Sequence, residues 1–155
     1  MPSNDISFDT NGLYIFLSDI GEVSQYHWGF YLALSPEHGT IFHTINSRET
    51  GDRWQFQTKT NTGIPYSKTL LVALKIAIMD PCLHGPLADR LAAVPVISPV
   101  TCRLWLKIAL FDLDNEGYIK LTKEVDDIEM EGIIWAERSK INNQRITVSS
   151  KGSEL

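Results

Sequence analysis

The sequence predicts a single α+β domain in which an antiparallel sheet from the first half of the chain packs against helices from the second half. Short apolar or alternating runs bounded by turn residues occupy the first half, and helix-start signals with helical spacing occupy the second. The 155 residues, 43% of them hydrophobic, suffice for one core. We expect this domain to span residues 1–141, followed by a loosely ordered polar tail over 142–155.

The predicted strands begin with residues 13–17, a short apolar run typical of a buried strand. Residues 27–34 and 40–46 flank a loop that contains proline and glycine, which predicts an antiparallel hairpin. Residues 54–58 alternate apolar and polar side chains, as a half-buried strand does. The run 69–78 fits a buried strand or a buried helix, and its β-branched residues favour the strand.

The predicted helices begin with residues 86–94. A second helix has two candidate starts: Ser98 as N-cap with Pro99 at the first helical position, or Thr101 as N-cap. It is predicted to stop at Gly117. A final helix with an acidic face follows, and that face is most simply a solvated surface.

Charge and composition exclude several classes of function. The net charge is −5, with 14 basic against 19 acidic residues, so we expect neither a nucleic acid nor a membrane as partner. The start of the chain lacks a secretory signal, and the longest apolar run is too short to span a bilayer. Two cysteines, Cys82 and Cys102, cannot form a disulfide framework, which predicts a cytoplasmic protein with free thiols.

Cys102 is the leading candidate for a catalytic residue. Either predicted helix start places its thiol in the first helical turn, where free N–H groups and the helix dipole favour the thiolate. Arg103 adds a neighbouring cation. The alternative is a buried structural cysteine, because free cysteine is among the most buried residue types.

His27 is the candidate base for such a nucleophile. Strand alternation places His27 with Tyr31 on the less apolar face of its strand, opposite the expected core. His43 shares this face from the partner strand and is a candidate for orienting His27. With pairing near Leu34 and Thr40, however, His43 is expected opposite Tyr31, too far from His27 for contact unless a bulge closes the gap.

The stretches HWGFYL (27–32) and GTIFH (39–43) resemble the histidine hairpin of circularly permuted NlpC-type thiol hydrolases and lecithin:retinol acyltransferase-like proteins. In that superfamily a base histidine on a strand comes first, a polar residue on the next strand follows, and the nucleophilic cysteine begins a later helix. This chain has the order His27, His43, Cys102. The chain is also similar to a fungal group of small proteins with an HW…CR-x-W pattern, often associated with secondary-metabolite gene clusters.

The resemblance implies a permuted papain-like arrangement and a thiol mechanism without a cofactor. His27 would take the proton from Cys102, or the two would rest as an ion pair, and the thiolate would attack the acyl carbon of a small molecule or peptide. Backbone N–H groups at the helix start would stabilise the oxyanion, and His43 would fix the tautomer of His27. Thr101 stands where the acyltransferase-like proteins have asparagine, which argues against lipid acyl transfer. The residues assigned to substrate binding are Tyr26, Tyr31, Arg103 and Trp105, although a core position is an alternative for Trp105.

Two other functions stay open. The same pocket could serve a biosynthetic cyclase or isomerase that uses His27 for acid–base chemistry. The chain could also be a non-catalytic binding or interaction module, and a homodimer is compatible with the sequence. Cys82 and His84 lie two residues apart, but the paired spacing of zinc ligands is missing, so no metal site is predicted.

Overall fold

The computed structural model describes residues 6–46, 51, 53–96 and 101–155, and it confirms an α+β fold with a mostly antiparallel sheet. Most strands come from the first half of the chain and the helices from the second. The strands are β1 (Gly12–Asp19), β2 (Tyr26–Ala33), β3 (Gly39–Asn46), β4 (Trp54–Thr62), β5 (Leu70–Ile78), β6 (Lys120–Leu121), β7 (Ile146–Ser149) and β8 (Ser153–Glu154). The helices are α1 (His84–Ala92), α2 (Cys102–Asn115) and α3 (Val125–Asn142).

The main sheet has the strand order β4-β3-β2-β1-β5-β7. Its neighbours are antiparallel except β5 and β7, which run parallel. The ambiguous run 69–78 is therefore a strand, as the β-branched residues predicted. Eight of its nine residues are buried, Lys75 included, because β1 and β7 flank it and the sheet is covered on both faces.

The sheet is buried on both faces. Trp28 and Phe30 of β2 face the helices, where they join the larger core with Trp105 of α2. Tyr31, on the opposite face of β2, belongs to a second and smaller core. That second core comprises Phe8, Tyr14, Phe16, Tyr31, Ala33, Ile41, Ile64, Leu70 and Ala73. The face that the sequence presented as less apolar is thus covered by aromatic residues.

The helix α2 begins at Cys102 with Thr101 as its N-cap, which is the second of the two predicted starts. The Thr101 hydroxyl accepts a hydrogen bond from the Leu104 N–H at 3.3 Å, the interaction of an N-cap. The alternative start at Ser98 and Pro99 lies outside the described residues. Within the described ranges, no helix has the length and apolar character needed to cross a membrane.

Residues 142–155, expected to form a loosely ordered polar tail, instead complete the fold. β7 pairs with β5, β8 pairs with β6, and the Ser150 hydroxyl donates to Glu131 of α3 at 2.6 Å. The exposed edge of β5 offers unpaired backbone groups, and a polar segment can satisfy them because backbone hydrogen bonds do not depend on side-chain type. In β7 the apolar residues Ile146 and Val148 alternate with polar ones, and both pack against the larger core.

Candidate functional site

The candidate site lies where the sheet divides between β2 and β3. The two strands pair from Ala33–Gly39 to Gly29–His43, and beyond that point β2 runs back to Tyr26 while β3 stays with β4. The N-terminus of α2 lies beside this opening. A cleft of about 430 Å³ is found there. Its lining residues are Ile20, Gln25, Tyr26, His27, Trp28, Trp54, Thr101, Cys102 and Arg103.

Cys102 is the first residue of α2, and its sulfur faces the backbone of β2. Its side chain is largely buried, with only 6% of the residue exposed. The thiol points to the Tyr26 carbonyl oxygen at 4.0 Å, and the N–H groups of Trp28, Arg103 and Cys102 itself also interact with the sulfur. The sulfur therefore lies against the strand on both sides of His27.

Burial raises the pKa of the Cys102 thiol above its ordinary value, although the three surrounding backbone N–H groups oppose this effect. The Arg103 guanidinium is directed elsewhere: it pairs with Glu129 of α3 and lies 5.7 Å from the centre of the Trp28 ring. The expectation that the helix start and Arg103 lower the thiol pKa is therefore wrong. Desolvation outweighs the helix N-terminus here, and the resting group is a thiol.

His27 and His43 are in direct contact, contrary to the expected offset. His27 Nε2 lies 2.8 Å from His43 Nδ1. The hairpin closes at Ala33–Gly39, so that His43 lies opposite Gly29 and diagonally across from His27, and no bulge is needed. Gly29 makes this possible, because a Cβ atom there would lie only 2.6 Å from the Phe16 ring and 3.0 Å from the Cβ of His43.

Gln57 extends the histidine pair into a relay of three side chains. Its Oε1 lies 2.9 Å from His43 Nε2, so His43 Nε2–H donates to the amide oxygen. His43 Nδ1 then accepts from His27 Nε2–H, and the lone pair of His27 falls on Nδ1. The relay thus selects the nitrogen at which His27 can act as a base.

Both histidines are neutral at neutral pH. Desolvation is the main cause, and it lowers the pKa of His27 to about 4, with smaller contributions from His43 and from the Lys59 cation. Desolvation also lowers the pKa of His43, while its hydrogen bond to Gln57 opposes the shift. A neutral pair fits the directional relay described above, since a protonated histidine has no nitrogen that can accept.

The sulfur and the imidazole line one cleft without a hydrogen bond between them. The partner of the Cys102 thiol is the Tyr26 carbonyl oxygen. The His27 ring lies on the other face of β2, 5.9 Å from the Phe16 ring centre. Because the backbone of β2 separates the two side chains, proton transfer from the thiol to the imidazole would require a group held between them in the cleft.

The structure places two of the four predicted substrate-binding residues in the cleft. Tyr26 and Arg103 line it, and the Tyr26 hydroxyl donates to Glu137 of α3. Tyr31 and Trp105 do not, which corrects their assignment. Tyr31 is buried in the second core because strand alternation carries it to that face. Trp105 is packed between Phe30 and the ring of Phe56 because it lies on the buried side of α2.

Sequence reasoning missed two residues of the site. Gln57 was overlooked, although the alternation of residues 54–58 places it on one face of a strand that pairs with the His43 strand. Trp54 was not assigned to the site; it packs against the larger core and also lines the cleft. Neither carries a local motif, and both would have required the pairing register of β3 and β4.

Among the residues that the structure describes, no three His, Cys, Asp or Glu side chains lie close enough together to hold a metal ion. Cys82 is exposed in the loop before α1.

Comparisons of the chain with protein-family models, with curated proteins and with solved structures found no match. The function must therefore be inferred from the geometry of this cleft.

Proposed function

We propose that the protein is a cytoplasmic cysteine-dependent hydrolase or acyltransferase that acts on an amide or ester bond of a small molecule or peptide. The single observation that supports this most is that Cys102, at a helix N-terminus, and His27, at the end of a hydrogen-bonded relay, line the same cleft. A permuted papain-like arrangement, with the base on an early strand and the nucleophile on a later helix, is part of this proposal.

The reaction begins when a substrate enters the cleft and a water molecule or a polar group of the substrate lies between the Cys102 thiol and His27 Nδ1. His27 Nδ1 takes the thiol proton as the sulfur attacks the acyl carbon. The resulting imidazolium gives this proton to the leaving amine or alcohol, and a thioester remains on Cys102. Water, or an acceptor amine or alcohol, then attacks the thioester with His27 as base, and the thiol is restored.

The N–H groups around the sulfur supply the second requirement of acyl transfer. Those of Cys102 and Arg103 belong to the first turn of α2, and that of Trp28 belongs to β2 where β3 has separated from it. Donors fixed in the backbone stabilise a developing oxyanion without reorganising. The raised thiol pKa fits a nucleophile that becomes a thiolate only when substrate is bound.

The experiment that tests this proposal uses para-nitrophenyl hexanoate, an activated ester. We expect Cys102→Ala and His27→Ala to lower the rate at least roughly a hundredfold while circular dichroism shows an intact fold. Cys82→Ala removes the other, exposed thiol and should retain the full rate. Ester hydrolysis that persists in Cys102→Ala would overturn the assignment of the nucleophile.

A second candidate function is acid–base catalysis by His27 in a cyclase or isomerase. It is favoured by one observation: the relay through His43 to Gln57 is formed in the resting protein, whereas the thiol is neutral and bonded elsewhere. This function predicts that Cys102→Ser keeps its activity and that His27→Ala loses it. The thiol mechanism predicts that both variants lose activity.

A further inference from the structure

A second, larger cleft adjoins the candidate site. It has a volume of about 960 Å³ and lies between the end of β1, the start of β5 and the end of α3. Ile20, half exposed, lines both clefts. The Lys140 ammonium, which lines the second cleft, lies 5.9 Å from the centre of the Tyr26 ring in the candidate site. One extended ligand can therefore occupy both.

The second cleft carries an excess of positive charge in a protein whose net charge is −5. Lys68, Lys140 and Arg145 line it against a single carboxylate, that of Asp19. Asp19 accepts a hydrogen bond from the Gly21 N–H at 2.9 Å. The cations therefore outnumber the carboxylates at the wall of this cleft by two.

The three cations are held by different means. The Arg145 guanidinium donates to the carbonyl oxygens of Pro65 and Ser67, which fixes its position. The Lys140 ammonium lies 3.5 Å from the Glu22 carbonyl oxygen, and it also complements the C-terminus of α3. Lys68 is exposed at the rim. A carbonyl partner leaves the charge of Lys140 in place, so this lysine and the exposed Lys68 can attract an anion.

We infer that the substrate carries a carboxylate at the end remote from its reacting acyl bond, and that Lys68 and Lys140 bind this carboxylate. The inference rests on the proposed function for the position of the acyl bond. The acyl group lies at Cys102, the chain of the substrate crosses Ile20, and its carboxylate enters the second cleft. This arrangement selects acidic acyl compounds over neutral or basic ones of equal length.

Three para-nitrophenyl esters of equal chain length test the inference: the monoester of adipic acid, which is anionic, the ester of hexanoic acid, which is neutral, and the ester of aminohexanoic acid, which is cationic. Binding is measured by calorimetry on Cys102→Ala, so the readout does not depend on turnover. We expect the adipate ester to bind roughly tenfold more tightly than the hexanoate ester, and the aminohexanoate ester to bind most weakly.

In the same background, Lys68→Gln with Lys140→Gln should remove the preference for the adipate ester and leave binding of the hexanoate ester unchanged. Lys151→Gln is a matched control, because Lys151 is exposed beside a different cleft on α3. Equal binding of the three esters, or a preference that survives the double substitution, would contradict the carboxylate site while leaving the thiol mechanism intact. A charge preference without hydrolysis by the unaltered protein would support the binding site and contradict the thiol mechanism.

Discussion

Burial changes the pKa values of two residues in the candidate site, Cys102 and His27. Cys102 occupies a helix N-terminus that favours a thiolate, but burial keeps the thiol protonated. His27 is a histidine whose pKa of about 4 keeps it neutral across the physiological range. In the proposed mechanism, this neutral thiol and this neutral base react only when substrate is bound.

The buried histidines predict that acid destabilises the fold. In the unfolded chain His27 binds a proton near its ordinary pKa of 6.5, whereas in the folded protein it does so only near 4. The unfolded state therefore holds more protons between these values, and the free energy of unfolding falls as the pH decreases through this window, by about 3 kcal/mol. Urea denaturation across the window measures this loss.

Substitution tests the source of this loss. His27→Gln should flatten the pH dependence, whereas His38→Gln, in the exposed hairpin loop, should leave it unchanged. An identical loss of stability in the unaltered protein and in His27→Gln would show that other groups cause it.

The Gln57 amide is predicted to act as a positioning residue. Gln57→Leu removes the acceptor that fixes the His43 tautomer, so we expect ester hydrolysis to slow by roughly tenfold to a hundredfold. Gln57→Glu keeps an acceptor and should recover most of the rate. It should also move the acidic limb of the pH–rate profile upward, because a carboxylate favours protonated His43.

Gln55→Leu is the matched control for this prediction, since Gln55 is an exposed residue two positions away on the same strand. If Gln57→Leu and Gln55→Leu hydrolyse the ester at the same rate, Gln57 does not position the histidine pair for the reaction.

At the level of elements, the sequence predicted the strands and the helix start but not how the hairpin strands align. Periodicity located β1 to β4, and capping preferences gave two candidate starts for α2, of which the structure has the one at Thr101. The register depended on where the hairpin loop closes, and a shift of two residues leaves the pattern of faces unchanged. For this reason the shared face of His27 and His43 was predictable, and their contact was not.

The Thr101 cap connects the stability of α2 to the position of Cys102. Thr101→Ala leaves the Leu104 N–H without its partner, and we expect a loss of about 1 kcal/mol in the free energy of unfolding. Thr101→Ser retains the hydroxyl and should be nearly neutral. Urea denaturation of the two variants measures the difference, and equal stabilities would show that the cap contributes nothing.

At the level of the whole molecule, the structure of the segment after α3 was not predicted from the sequence. Its strand β7 has only four residues, and although Ile146 and Val148 alternate with polar residues, the place of the strand is determined by the free edge of β5. The cleft could not be predicted either, because it depends on where β2 separates from β3 and on the position of α2 beside them. Local sequence signals describe elements, whereas both features arise from how the elements meet.

The contribution of this segment to stability can be measured. Ile146 and Val148 of β7 pack against the larger core, so replacing both with alanine should lower the free energy of unfolding by about 2 kcal/mol. Ile141→Ala is the control: this residue is 82% exposed, and we expect a change within about 0.5 kcal/mol. Equal effects of the two changes would mean that β7 is not part of the cooperative fold.

The most direct measurement is mass spectrometry of the protein after brief incubation with para-nitrophenyl hexanoate at neutral pH. We predict one hexanoyl group, located by peptide mapping on Cys102 and absent from the exposed Cys82, with much slower formation in His27→Ala. A protein that hydrolyses the ester without acylation of Cys102, or that is acylated at Cys82 alone, would contradict the account.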